Sequence, residues 1–265
     1  MFDINLILLP LFGFLIGIFV SALGGGGGGL YAPVLILLFG IPTQTAIATS
    51  LASVLPTTVA GAFSHYREGN VDVRTGLILG VGGIAGTLIG VYIANLIPPI
   101  LLQRILGAFI LIMLVPMLRS ALKRRKKMKN GEIADINGYS TRLTGTKRII
   151  ASFFGVAGGI LAGVFGISGT PPVTAGLYSL GLPAILVVGT TVFVLIFNSA
   201  AGIGGYFLSG KLDVPLVILL GGGAVIGAFI GPKLIKKVGP KTVEKIYAPL
   251  LIGISLVLGL SLILA

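Results

Sequence analysis

A chain of 265 residues with 55% hydrophobic and 10% charged residues and a mean hydropathy of +1.09 is no ordinary soluble domain, where about a quarter of residues are charged. Its net charge of +12 would suggest nucleic acid in a soluble protein. However, ten of the nineteen Lys and Arg lie within 119–148, where they read as a topology signal and a loop near anionic lipid. Cysteine is absent, which excludes disulfides, thiol redox chemistry and thiolate metal sites.

Nothing ionised lies between Asp3 and Arg67, Arg74 and Arg104, or Arg148 and Lys211, nor after Lys245. Each stretch holds at least one span of about 20 residues. The stretches are continuously apolar and lack the alternation of barrel strands, so the spans are expected to be helices. One Asp and no basic residue precede the first apolar run, a poor signal peptide, and the run is expected to remain as a membrane segment.

In chain order, the sequence predicts a helix at 6–23, the glycine tract Gly24–Gly29, a short apolar piece from Leu30 to Phe39, and helices at 43–64, 72–96 and 100–119. After the basic linker come a helix at 149–166, a loop Gly166–Thr170, a short piece at 171–180, and helices at 184–207, 214–235 and 245–264. The two series are copies. Residues 14–99 and 155–240 align without a gap at an offset of 141, matching Gly25 with Gly166, Gly28 with Gly169, Gly40 with Gly181, Thr49 with Thr190, Gly69 with Gly210 and Asp72 with Asp213. The expected organisation is an N-terminal membrane repeat (1–120), a basic cytoplasmic linker (121–148) and a C-terminal membrane repeat (149–265).

The short pieces rise only about 16 Å, half the hydrocarbon thickness, so neither can span alone. Each is expected to form a hairpin with the helix before it, turning at the glycine loop near mid-membrane, where irregular backbone must be buried or line a polar cavity. A hairpin plus three spans gives an odd number of crossings per half, so the halves are expected to be inverted. Loop charge agrees: 233–245 carries five Lys, whereas its counterpart around 97–104 holds only Arg104. With the linker inside, the N- and C-termini fall outside. The fold class is thus an all-α integral membrane protein of two inverted repeats, each a helix, glycine loop and short-helix hairpin followed by three transmembrane helices.

Three groups of residues could carry chemistry. Gly25, Gly26, Gly27, Gly28 and Gly29 rule out regular helix and leave backbone N–H groups free at a positive helix end, an anion site in outline. Ser168, Gly169 and Thr170 do the same before Pro171 and Pro172, with Thr170 read as the N-cap and Pro171 as the first helical residue. The competing reading is that glycines only permit close packing, which is favoured for Gly80, Gly82, Gly86 and Gly90. Second, Thr49 and Ser50 match Thr190 and Thr191, and Thr57 and Thr58 match Asn198 and Ser199, with Ser53 on the same helix as the first set; such side chains bond an oxyanion without adding a buried charge. They can equally bond their own helix backbone. Third, His65, Arg67, Glu68, Asp72 and Arg74, with Lys211 and Asp213, sit at membrane edges as anchors, caps and topology determinants. His65 is the sole candidate proton relay.

Sharper motifs fail. Gly166-Ile167-Ser168-Gly169 spells an intramembrane serine-protease sequence but lacks a nearby base, so no enzyme is expected. The glycine tract has no Gly-Lys-Ser/Thr ending for a nucleotide phosphate. No Asp, Glu, His or Cys falls within a span, so neither metal nor cofactor is expected.

The block Gly24–Gly29, Pro33, Gly40-Ile41-Pro42, Ala48-Thr49-Ser50-Leu51 and Gly69-Asn70-Val71-Asp72, followed by the glycine-spaced helix, resembles the TauE/SafE sulfite exporter family of membrane transporters. The second copy, Gly166–Thr170, Gly181-Leu182-Pro183, Gly189-Thr190-Thr191 and Gly210-Lys211-Leu212-Asp213, is similar to that family's C-terminal half. The resemblance implies export or uptake of small sulfur-containing anions such as sulfite, sulfoacetate or other organosulfonates. The expected function is secondary transport across the cell membrane by alternating access, with the anion held between the two glycine turns. The partners expected are that anion and membrane lipid, with no nucleic acid. A passive anion channel, and an assembly or regulatory partner acting through the basic linker, are the competing functions.

Overall fold

The computed structural model describes residues 8–21, 28–129, 145–238 and 240–265, in which every regular element is a helix. In the first half these are α1 (Leu9–Ser21), α2 (Gly28–Phe39), α3 (Thr43–Arg67), α4 (Val73–Leu96) and α5 (Pro99–Lys129). In the second they are α6 (Gly145–Phe165), α7 (Thr170–Ser179), α8 (Ala184–Leu208), α9 (Val214–Val238) and α10 (Pro240–Leu264). Helix α5 runs on through Lys129, well into the segment expected to be linker, because Ala121, Leu122 and the Lys and Arg that follow are good helix formers with no Gly or Pro among them.

Helices α3, α4, α8 and Lys147–Phe165 of α6 are long and apolar enough to cross a membrane. The short elements α2 and α7 have 12 and 10 residues, about 15–18 Å of helix. Large apolar side chains such as Phe63, Tyr92, Phe153, Phe207 and Phe229 point outward, as lipid contact requires. The chain is an all-α integral membrane protein.

Punctuation between helices repeats at the same offset. Gly40 and Gly181 take φ of 63° and 88°, and the residues after them, Ile41 and Leu182, donate to Leu35 O and Leu177 O at 3.1 Å each. These bonds satisfy carbonyls that the ends of α2 and α7 would otherwise leave free. Asp72 caps α4 by accepting from Thr75 N, and Asp213 caps α9 by accepting from Leu216 N, both at 3.1 Å. The cap reading of these two edge carboxylates therefore holds.

Packing crosses the midpoint of the chain. Helix α4 packs on α6, and α1 packs on α9. A methyl group on Gly82, Gly86 or Gly90 would meet the backbone carbonyls of Ser152, Val156 and Ile160 in that order, so α4 and α6 run parallel with their backbones touching. Gly13 and Gly17 lie in the same way against Leu220 and Ala224 of α9. Between these two pairs α3 crosses α8 in the antiparallel sense, with Leu51 beside Gly202 and Gly61 beside Val192. Helices α5 and α10 are also antiparallel: Gln103 Nε2 reaches Leu262 O at 3.4 Å, while Leu111 lies against Gly259. Around the α3/α8 crossing sits a core of Tyr31, Leu35, Ile47, Leu51, Leu102, Leu106, Tyr206 and Leu220, closed beside α6 by the stack of Phe109 on Phe165 at 4.6 Å.

Candidate functional site: the turn between α6 and α7

Helix α6 ends with Gly166 N–H donating to Ala162 O at 2.8 Å, and the ladder resumes only at Val173 N–H to Gly169 O at 3.4 Å. Between them Ser168 and Gly169 both take positive φ, 57° and 78°, as in a type I′ turn. For a serine this backbone costs on the order of 1 kcal/mol, and it is the sole non-glycine positive φ among the described residues. Gly169 has no alternative, since a Cβ there would collide with the Gly158 carbonyl on α6. Pro171 and Pro172 bring no N–H, and those of Ile167, Ser168 and Gly169 meet no acceptor among the described residues. Three buried donors with no partner among the described residues thus gather at the N-terminus of α7, where the helix dipole is positive.

The turn's carbonyls are held from both halves of the chain. Ser50 Oγ on α3 donates to Gly166 O at 3.0 Å, and Asn198 Nδ2 on α8 donates to Ser168 O at 3.1 Å. Ser168 Oγ donates to its neighbour Ile167 O at 2.8 Å. That hydroxyl is committed to the backbone, so it offers no nucleophile. Asn198 fits because Gly83 on α4 has no side chain: its Oδ1 occupies the space a Cβ would take. Ser53 lies one turn along the face of α3 that carries Ser50, and Thr191 two turns along the face of α8 that carries Asn198. The hydroxyls of Thr49, Ser53, Thr191 and Ser199, together with Asn198 Oδ1, are buried without a partner. Unpaired buried polar atoms cost about 1–3 kcal/mol each, so each of these calls for a ligand or water.

Other expected site residues are placed differently. Thr190 accepts from Asp72 N–H at 2.9 Å, tying the α3–α4 loop to α8, and the Asp72 carboxylate also accepts from Thr75 Oγ1 at 2.7 Å. His65 is half-buried at the end of α3, with its Cβ near Gly189, at the loop and away from the turn. Thr57 and Thr58 bond Val54 O at 2.7 and 3.1 Å, which is the self-bonding alternative. Thr170 is not the N-cap: α7 starts at Thr170, Gly169 occupies the cap without any side-chain bond, and Pro171 falls one position later than expected. Two consecutive left-handed residues bring the chain into the helix early, overriding the local preference for Thr. Gly25, Gly26 and Gly27 lie outside the described residues. Gly28 opens α2 and Gly29 faces open space. Gly83 was readable from the sequence only as part of a glycine-spaced packing helix. No group of three metal-ligating side chains occurs among the described residues.

The arrangement offers amide and hydroxyl donors in a buried, uncharged setting, suited to holding a small anion and unsuited to covalent chemistry. The family model described as "Sulfite exporter TauE/SafE" matches residues 9–258. The chain is 36% identical to the probable membrane transporter protein YdhB of Bacillus subtilis over 234 residues, 88% of this chain and 91% of that protein. It is 27% identical to the probable membrane transporter protein YunE of the same organism over 262 residues, 94% and 95% of the two chains. With the probable membrane transporter protein MJ0441 of Methanocaldococcus jannaschii it shares 26% identity over 254 residues, 89% and 90% of the two. No solved structure matches the chain. Matched across nearly its whole length, the chain belongs to the sulfite exporter TauE/SafE family, membrane transporters and not enzymes.

Proposed function

We propose that this transporter moves small sulfur-containing anions, such as sulfite, sulfoacetate or other organosulfonates, by alternating access. The anion binds at the α6–α7 turn against Ser168 and Gly169, with Thr49, Ser53 and Thr191 contributing hydroxyls. Ser50 and Asn198 hold the turn's carbonyls. The observation that carries this reading is the set of three backbone N–H groups at the buried start of α7 that meet no acceptor among the described residues, with buried hydroxyls on α3 and α8 that have no partner. The family description is what supports the sulfur class.

The antiparallel crossings of α3 with α8 and of α5 with α10 support an inverted relation between the halves, since each pair is equivalent under the repeat. Inversion makes two opposite-facing states similar in energy, which is what alternating access requires. With the basic segment cytoplasmic, both termini lie outside the cell.

Flux into proteoliposomes tests this. The triple variant Thr49→Val, Ser53→Ala, Thr191→Val removes hydroxyls that have no protein partner, so the protein is expected to fold and to lose sulfite and methanesulfonate transport. Unchanged flux overturns the proposed site, and failure of the wild type to accumulate substrate against a gradient under any imposed ion gradient overturns alternating access in favour of a channel.

A further inference from the structure

We propose that, of the anions named above, the α6–α7 turn accepts only singly charged species, such as hydrogen sulfite and monosulfonates, and excludes dianions such as fully deprotonated sulfite, sulfoacetate and sulfate. The proposal rests on the anion-site reading above and adds the charge state of the transported species.

Three observations carry it. First, no fixed positive charge is available. The elements that meet at the turn are α3, α4, α6, α7 and α8. Their only basic residues are His65 and Arg67 at the far end of α3, the exposed Arg74 in the first turn of α4, and Lys147 and Arg148 at the start of α6, about five turns from Gly166. Second, the one charged side chain buried among the described residues is a carboxylate, Asp72 at the start of α4, so burial brings no cation to the turn. Third, the turn offers acceptors as well as donors. The carbonyls of Gly166, Ile167 and Ser168 lie in it, and Asn198 Oδ1 is buried with no donor.

The cost of moving an ion out of water grows with the square of its charge, so a dianion costs about four times as much as a monoanion of the same size. Neutral amides and hydroxyls can offset one charge through hydrogen bonds to the anion. A second charge would find neither a cation nor enough donors, because Ser50, Ser168 and Asn198 have already given theirs to carbonyls. An oxyanion that keeps a proton instead has an O–H to give, and Asn198 Oδ1 or the second lone pair of a turn carbonyl can take it.

Calorimetric titration of the purified full-length protein in nanodiscs with three probes, at about pH 6 and about pH 8, tests the assignment. Sulfite passes from mostly monoanion to mostly dianion between these values, whereas methanesulfonate stays monovalent and sulfate divalent. The Kd in total sulfite is expected to rise roughly tenfold at the higher pH, that for methanesulfonate to stay constant, and sulfate to give no binding. Methanesulfonate also controls for any pH dependence of the protein itself. Sulfate binding as tight as sulfite, or sulfite binding that is constant or tightens as pH rises, overturns the charge rule while leaving the anion site in place. Absence of binding by all three probes at both pH values overturns the anion site, and the charge rule with it.

Discussion

Gly83 and Asn198 form one side of the α6–α7 turn, and 141 positions away the repeat places Ala224 and Thr57. Where Gly83 admits the Asn198 carboxamide, Ala224 carries a methyl, and where Asn198 reaches across to Ser168 O, Thr57 turns back to Val54 O of its own helix. Thr190 and Thr49 diverge likewise: the first accepts from Asp72 N–H, while the second is buried with no partner. Backbone devices, the glycine caps and the carboxylate N-caps, are the same in both halves. What differs is the side chains that hold or aim them. Duplication has kept the frame, and specialisation has gone into a few polar groups around one turn.

The sharpest way to break this comparison is to exchange the small residues. Gly83→Ala pushes a methyl into Asn198 Oδ1 between closely packed helices and is expected to cost about 2–4 kcal/mol and at least tenfold in flux. Ala224→Gly is expected to cost about 1–2 kcal/mol and to leave transport intact. Thermal unfolding and proteoliposome flux measured together decide it, and equal losses for the two would erase the distinction.

Next in size, Asn198→Ala leaves a buried Ser168 carbonyl without its donor and is expected to cost about 1–3 kcal/mol. Thr57→Ala, which gives up only a local bond, is expected to stay within about 0.5 kcal/mol. Chemical denaturation monitored by tyrosine fluorescence checks the pair. Thr190→Val removes the acceptor of Asp72 N–H and is expected to cost about 1 kcal/mol, with faster hydrogen exchange at the Asp72 amide. Smallest of all, Thr49→Val deletes an unpaired hydroxyl and is expected to leave stability unchanged or raise it by up to about 1 kcal/mol. A marked destabilisation there would mean that Thr49 has a structural partner and that the two threonines are equivalent after all.

Much of the frame was legible because it depends on residue types that dictate backbone geometry. Gly40, Gly181, Asp72, Asp213 and the charge-free runs mark helix ends and spans at nearly the observed places, and the ten-residue α7 follows from the distance between Thr170 and Gly181. The turn at 166–169 was legible for the same reason. Its details were not. Thr170 obeys the N-cap preference locally, but the positive φ at Ser168 is fixed by contacts with α3, α6 and α8 that no local rule contains. Gly83 reads like Gly82 and Gly86 until Asn198 is placed beside it. The redirection of Thr190 to Asp72 N–H depends on how the α3–α4 loop folds back on α8, which polarity patterns do not encode. The partner of α1 was hidden too, because small residues show that a helix packs closely without naming what it packs on.

The exchange of first helices between the halves sets an order on biogenesis. Residues 9–21 leave the ribosome first, yet the surface that Gly13 and Gly17 fit belongs to α9, which is made only after Val214. Until then α1 stays in lipid with its small-residue face bare, while α6 finds α4 already waiting in the bilayer. The α6–α7 turn can therefore be clamped as soon as α8 is synthesised, whereas α1 waits for α9. A chain cut short before α9 would retain the α6–α7 turn and lose the element that locks the N-terminus in place.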